Sequence, residues 1–163
     1  MKTEEKVIAY FKENNLWLAS AESCTGGLIS KRITDISGAS AIFGYGLCTY
    51  ANDAKVKLLG VNENTLKQYG AVSKNTAFEM VQGLLELSGA DVAICTTGMA
   101  SPGGGPTDKP VGMVFVGVGT KLGITVDELS LGHLVDRESI RNATAEFALS
   151  RALSEAEKLV QSK

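Results

Sequence analysis

Residues 16–36, LWLASAESCTGGLISKRITDI, decide how this chain is to be read. The run from Leu16 to Ala21 is apolar throughout instead of alternating, which predicts a short strand buried on both faces. A helix is expected to begin near Thr25 or Gly26 and to bury Leu28, Ile29, Ile33 and Ile36, with Gly38 following its end. Between strand and helix lies AESCTGG, residues 21–27. A turn needs one glycine and little else. A serine, a cysteine, a threonine and two glycines together point to chemistry at that junction.

Working outward, the same alternation continues. Thr3 is placed to cap a first helix with Glu4 and Glu5 in its opening turn, and Val7, Tyr10 and Phe11 on its buried side. Residues 42–51 read as a second strand, and 53–59 as a short helix stopped by Gly60. Another short helix lies in NENTLKQYGAVS. After Ser73, Ala77, Met80, Val81, Leu84 and Leu85 repeat at helical spacing, and Gly89 stands where a left-handed cap belongs. Val92 to Thr96 is a third buried strand. Residues 111–118 and 122–131 form a hairpin through 119–123, and a long helix starts near Asp136. The order α-β-α-β-α-α-α-β-β-β-α predicts one α/β domain over residues 1–163. Its mixed, mostly parallel sheet is expected to carry helices on both faces.

Composition narrows the function. The chain has 163 residues, 44% of them hydrophobic, and a net charge of −2 without long runs of one sign. That argues against a nucleic-acid or membrane partner. Three scattered cysteines and one histidine make a metal site improbable and suit a reducing, cytoplasmic setting. No apolar stretch approaches the ~20 residues that span a bilayer. A homo-oligomer, such as a dimer, is an expectation from enzyme size and class alone.

In an open α/β sheet, ligands bind at the C-terminal ends of parallel strands. AESCTGG is at such an end. Unpaired N–H groups around Thr25, Gly26 and Gly27 can receive an anion or a developing oxyanion. Ser23 is the candidate nucleophile, and it needs a base. Nothing ties His133, the one histidine, to Ser23. Lys55, in TYANDAK, follows the second strand. If the first two strands are parallel neighbours, Lys55 and Ser23 share a rim. A lysine at its reference pKa must give up about 4.6 kcal/mol to be neutral at pH 7, so the site must desolvate it or surround it with positive charge. Plainer readings stand beside these. Ser23 or Thr25 can simply cap the helix, Glu22 can be solvated or orient a neighbour, and Cys24 can be a small buried hydrophobe. Gly103, Gly104 and Gly105 can connect strands or wrap a substrate. Arg137 and Arg141 share a helix face and can be solvated or can meet a phosphate.

The ordered set AESCTGGLIS, TYANDAKVKLLGV, YGAVS and TGMASPGGGPTDKPVG, continuing through RESIRNATAEFAL, resembles the CinA C-terminal-domain family. That family includes stand-alone PncC-type nicotinamide-nucleotide amidohydrolases. The resemblance implies a three-layer α/β/α sandwich. It also implies hydrolysis of the carboxamide of nicotinamide mononucleotide to nicotinate mononucleotide and ammonia, without cofactor, in pyridine nucleotide recycling. It gives Ser23 and Lys55 the roles of nucleophile and base, with Tyr50 as a further participant. Glu22, Thr25, Gly26, Gly27, the three loop glycines and Arg141 are its candidate substrate contacts. The sequence departs from the family pattern at Ser101, where glycine is usual, and in GYGLCTYA, which is expected to bring Tyr45 and Cys48 near the site. The alternatives are a non-catalytic nucleotide-binding or competence-related adaptor, and a hydrolase of another small amide.

Overall fold

A computed structural model describes residues 1–101 and 109–163; Gly103, Gly104 and Gly105 lie outside the described residues. Among the described residues, five strands form one sheet: β1 (Leu18–Glu22), β2 (Phe43–Cys48), β3 (Val92–Gly98), β4 (Met113–Thr120) and β5 (Gly123–Ser130). Their order is β2-β1-β3-β4-β5. β1 pairs in parallel with both β2 and β3, while β4 is antiparallel to β3 and β5 to β4. Four strands therefore run one way and only β4 runs against them. The β4–β5 hairpin turns at Lys121 and Leu122.

The α-helices of the described residues flank the sheet: α1 (Thr3–Glu13), α2 (Leu28–Thr34), α3 (Asn52–Leu59), α4 (Glu63–Tyr69), α5 (Lys74–Ser88) and α6 (Arg137–Gln161). On one face, Phe11 of α1, Ile29 and Ile33 of α2 and Leu149 of α6 pack against Leu18, Ile94 and Val116. On the other, Met80, Val81 and Leu84 of α5, with Leu59 of α3, cover Ala19, Ala93 and Cys95. This is a three-layer α/β/α sandwich, and strands apolar on both sides are what it requires. Among the described residues, no helix is long and apolar enough to cross a membrane.

The contact between α3 and α5 is unusually close. A Cβ built at Gly83 would lie 1.7 Å from the Leu59 carbonyl oxygen, so glycine there lets α5 touch the backbone of α3.

Local details differ from the sequence reading. Lys2, not Thr3, occupies the N-cap of α1, and Glu5 accepts the Lys2 N–H at 2.6 Å. The Thr3 hydroxyl instead donates to Glu146. α2 begins at Leu28, later than Thr25 or Gly26, because Gly26 (φ +57°) and Gly27 (φ +102°) are left-handed and cannot extend the helix. A 3₁₀ turn at Ala39–Ala41 is additional. β1 and β2 shift register between Leu18 and Ala19, so Tyr45 pairs with Ala19 near the strands' opening end. There it lines a cavity with Trp17 and Ser88, and only Cys48, opposite Glu22, reaches the rim.

Candidate active site

The parallel pairing of β1 with β2 and β3 brings three strand ends to one rim, with Glu22 level with Cys48 and Thr96. Ser23 leaves β1 at this rim, its N–H donating to the Thr96 carbonyl at 3.0 Å. α3 starts four residues after β2 ends and carries Lys55 in its first turn. Lys55 shares a helix face with Leu59, four residues on, and these are the two buried residues of α3.

The ammonium nitrogen of Lys55 is fully enclosed and stands 3.0 Å from Ser23 Oγ. It donates to the carbonyls of Thr49 at 2.8 Å and Tyr50 at 3.1 Å. Among the described residues no carboxylate pairs with it. Burial pushes the Lys55 pKa below the ordinary lysine value. Burial likewise pushes the thiols up, Cys24 to about 11 and Cys95 to about 12.

A cavity of about 370 Å³ opens in front of this pair. Ser23 and Cys24 line it together with Tyr50, Arg137, Gly70–Val72 and Thr97–Ala100. Such a volume is in the range of small-ligand pockets. The segment Gly70–Val72 is held in place by Thr97, whose hydroxyl donates to the Ala71 carbonyl at 2.7 Å, and by Lys109, which donates to the Tyr69 and Val72 carbonyls. Thr97 and Gly70–Val72 were not among the expected substrate contacts, while Arg137 was read as either solvated or meeting a phosphate. The register of β3 beside β1 was the available signal for Thr97.

Several expected substrate contacts are occupied otherwise. Glu22 is completely buried. Its carboxylate accepts the N–H groups of Ile29 (2.7 Å) and Ser30 (3.1 Å) and the hydroxyls of Ser30 and Thr25, both at 2.8 Å. Glu22 is thus the cap of α2 and does not face the cavity. Thr25 is equally buried, with its hydroxyl between Glu22 and Thr96. The Gly26 N–H closes a turn onto the Ser23 carbonyl at 3.0 Å, which removes it as an anion donor. Among the described residues, the N–H groups of Cys24, Thr25 and Gly27 have no acceptor. Arg141 donates to the carbonyls of Cys24 (3.2 Å) and Thr25 (2.7 Å). Tyr50 meets Lys55 through its main-chain oxygen, while its phenol, more than half exposed, accepts from Arg137 at 2.9 Å. Arg137 also donates to Ser101 Oγ at 3.0 Å. His133 is exposed and takes no part in these bonds.

Comparison with known proteins accords with this architecture. The family model described as the CinA C-terminal domain matches residues 1–156. A protein from Enterobacter agglomerans named nicotinamide-nucleotide amidohydrolase PncC is 50% identical over 149 residues, spanning 90% of this chain and 89% of that protein. A CinA-like protein of Akkermansia muciniphila is 48% identical over 92% of this chain, which covers only 36% of that longer relative. Other long relatives are likewise matched over about a third of their length. The crystal structure of the competence/damage inducible protein CihA from Agrobacterium tumefaciens superposes with a TM-score of 0.89 at 41% identity, covering 93% of this chain and 92% of that one.

Proposed function

The chain belongs to the CinA C-terminal domain family, and from that premise we propose that it hydrolyses the carboxamide of nicotinamide mononucleotide to nicotinate mononucleotide and ammonia, through Ser23 and Lys55. One observation carries the reading: a buried lysine with no carboxylate partner among the described residues, 3.0 Å from the hydroxyl of a serine that lines a cavity. The relative named for this activity aligns over nine-tenths of the chain.

A neutral amine has two N–H bonds and one lone pair. The Thr49 and Tyr50 carbonyls accept the two N–H bonds, which leaves the lone pair for the Ser23 hydroxyl. Lys55 takes that proton as Oγ bonds to the carboxamide carbon, and the amide oxygen becomes an oxyanion. The Cys24 N–H, on the residue after the nucleophile, is the first donor for it. The tetrahedral intermediate collapses, the C–N bond breaks, and Lys55 returns the proton to the leaving ammonia. Water then attacks the nicotinoyl–Ser23 ester, giving its proton to Lys55 and from there to Oγ. The pyridinium of the substrate is a cation, and it disfavours a second cation at Lys55, so bound substrate reinforces the neutral base. In this reading the product feeds pyridine nucleotide recycling.

The test is incubation of the purified protein with nicotinamide mononucleotide, following ammonia and the change in mass from carboxamide to carboxylate. Ser23→Ala is expected to reduce turnover by roughly 10⁴-fold or more. Binding without turnover by the unmodified protein, or turnover that survives Ser23→Ala, would refute the mechanism.

A further inference from the structure

The 23–27 turn has more support than a loop of this size needs. Peptide units are planar and trans, so each carbonyl points opposite to the N–H that follows it. The Ser23 carbonyl is taken by the Gly26 N–H, which faces the Cys24 N–H the other way. The Cys24 carbonyl is taken by Arg141 Nε, which turns the Thr25 N–H away from α6. Arg141 Nη2 and the Leu28 N–H share the Thr25 carbonyl. Gly26 makes room for the guanidinium: its φ is +57°, and a Cβ there would come within 3.3 Å of Arg141 Nη2. Among the described residues, Arg141 has no carboxylate partner, and the polar bonds described for it end on this turn.

We propose that Arg141 is a positioning residue for the oxyanion site: its bond to the Cys24 carbonyl sets the Thr25 N–H directly, and its bond to the Thr25 carbonyl sets the Gly26 N–H, whose hold on the Ser23 carbonyl in turn orients the Cys24 N–H. It does so without touching substrate. The inference rests on the serine–lysine reading and replaces the view of Arg141 as a phosphate contact. A single guanidinium suits the task because its planar fork reaches two acceptors at once.

The experiment compares Arg141→Ala and Arg141→Lys with the unmodified protein in two assays. The first measures kcat and KM with nicotinamide mononucleotide and with the phosphate-free nucleoside. The second measures the rate at which a fluorophosphonate labels Ser23, read by intact mass; its phosphoryl oxygen needs the same donors as the amide oxygen. Arg141→Ala is expected to lower kcat by about 10²-fold on both substrates with KM little changed, and to slow labelling similarly. Arg141→Lys, which reaches one carbonyl at a time, is expected to fall between the two. If Arg141→Ala does not fold, Arg141→Lys alone decides, because it keeps the stem and the charge. A rise in KM confined to the nucleotide would make Arg141 a phosphate contact and overturn the proposal. So would unchanged labelling of Ser23. If the unmodified protein is labelled but does not hydrolyse the amide, the substrate assignment falls and the labelling comparison still decides the role of Arg141. A protein that is neither labelled nor active overturns both.

Discussion

Gly83→Ala sets two calculable effects against each other. In an ordinary helix interior, alanine is favoured over glycine by about 1 kcal/mol. At Gly83 the new Cβ would stand 1.7 Å from the Leu59 oxygen, 2.5 Å from its carbonyl carbon and 2.9 Å from its Cα. These are backbone atoms, so no side-chain rotation relieves the overlap. Ordinary contact begins near 3.4 Å, so α3 must retreat by roughly 1.7 Å along that line. Overpacking of this kind costs typically about 1–3 kcal/mol, and the absence of a soft neighbour places Gly83 at the upper end. The net expectation is a loss of about 2 kcal/mol, which lowers Tm by roughly 4–8 °C in a chain of this size. The functional effect is the larger one. Lys55 is one turn before Leu59 on the same face of α3, and a displacement of that size breaks the 3.0 Å approach to Ser23. A misplacement of about 1 Å at a reacting group can reduce turnover by about 10²-fold. Thermal unfolding followed by circular dichroism, with kcat measured on the same preparation, tests both parts. A variant that melts a few degrees higher and turns over normally would show that helix propensity dominates, and would refute the close α3–α5 contact as the element that sets Lys55.

Two further outcomes follow from the same geometry. Because burial lowers the Lys55 pKa in the folded chain, the unfolded state binds the extra proton between that lowered value and the ordinary lysine value of about 10.5. Folding stability should therefore rise with pH across this window, and Lys55→Met should abolish that slope in urea titrations at stepped pH; a slope that persists in Lys55→Met would assign it to another group. Glu22→Gln leaves one oxygen where two accept four bonds and turns an N–H toward a backbone N–H. It should cost about 2–3 kcal/mol, visible as a Tm lower by roughly 5–10 °C, and an unchanged melting curve would remove Glu22 as the cap of α2.

The buried strands and the order of the elements were legible because uninterrupted apolar runs leave a strand one place to go, the middle layer. The meeting of Ser23 and Lys55 was legible only conditionally. It required β1 and β2 to be parallel neighbours, and no residue in either strand states that by itself. Lys55 was harder. In NDAKVKLL it looks like Lys57, which is exposed and pairs with Asp53 at 3.0 Å. What separates them is the face shared with Leu59, a signal two residues long. For Glu22 the sequence left open a solvated charge, a group orienting a neighbour and a substrate contact; its use as a cap depends on α2 folding back over the end of β1. The sequence could not show that the glycines delay the helix to Leu28, which is what opens the space where Glu22 inserts.

These placements explain one another. A lysine serves as base at neutral pH only if its cation is disfavoured, and enclosure does this most strongly when no carboxylate is near. The nearest carboxylate in sequence to Ser23 is Glu22, one residue away, and an ionised group turned toward the cavity would stabilise the lysine cation. Every partner of Glu22 lies on the opposite side: Ile29 and Ser30 of α2, and Thr25 facing Thr96. Its engagement with α2 therefore secures two conditions together. It anchors the turn that presents Ser23, and it keeps the adjacent negative charge directed at backbone N–H groups and away from Lys55. The carbonyls of Thr49 and Tyr50 then orient the amine with dipoles instead of a full opposite charge, which in the proposed mechanism aligns the base without locking it in its protonated form.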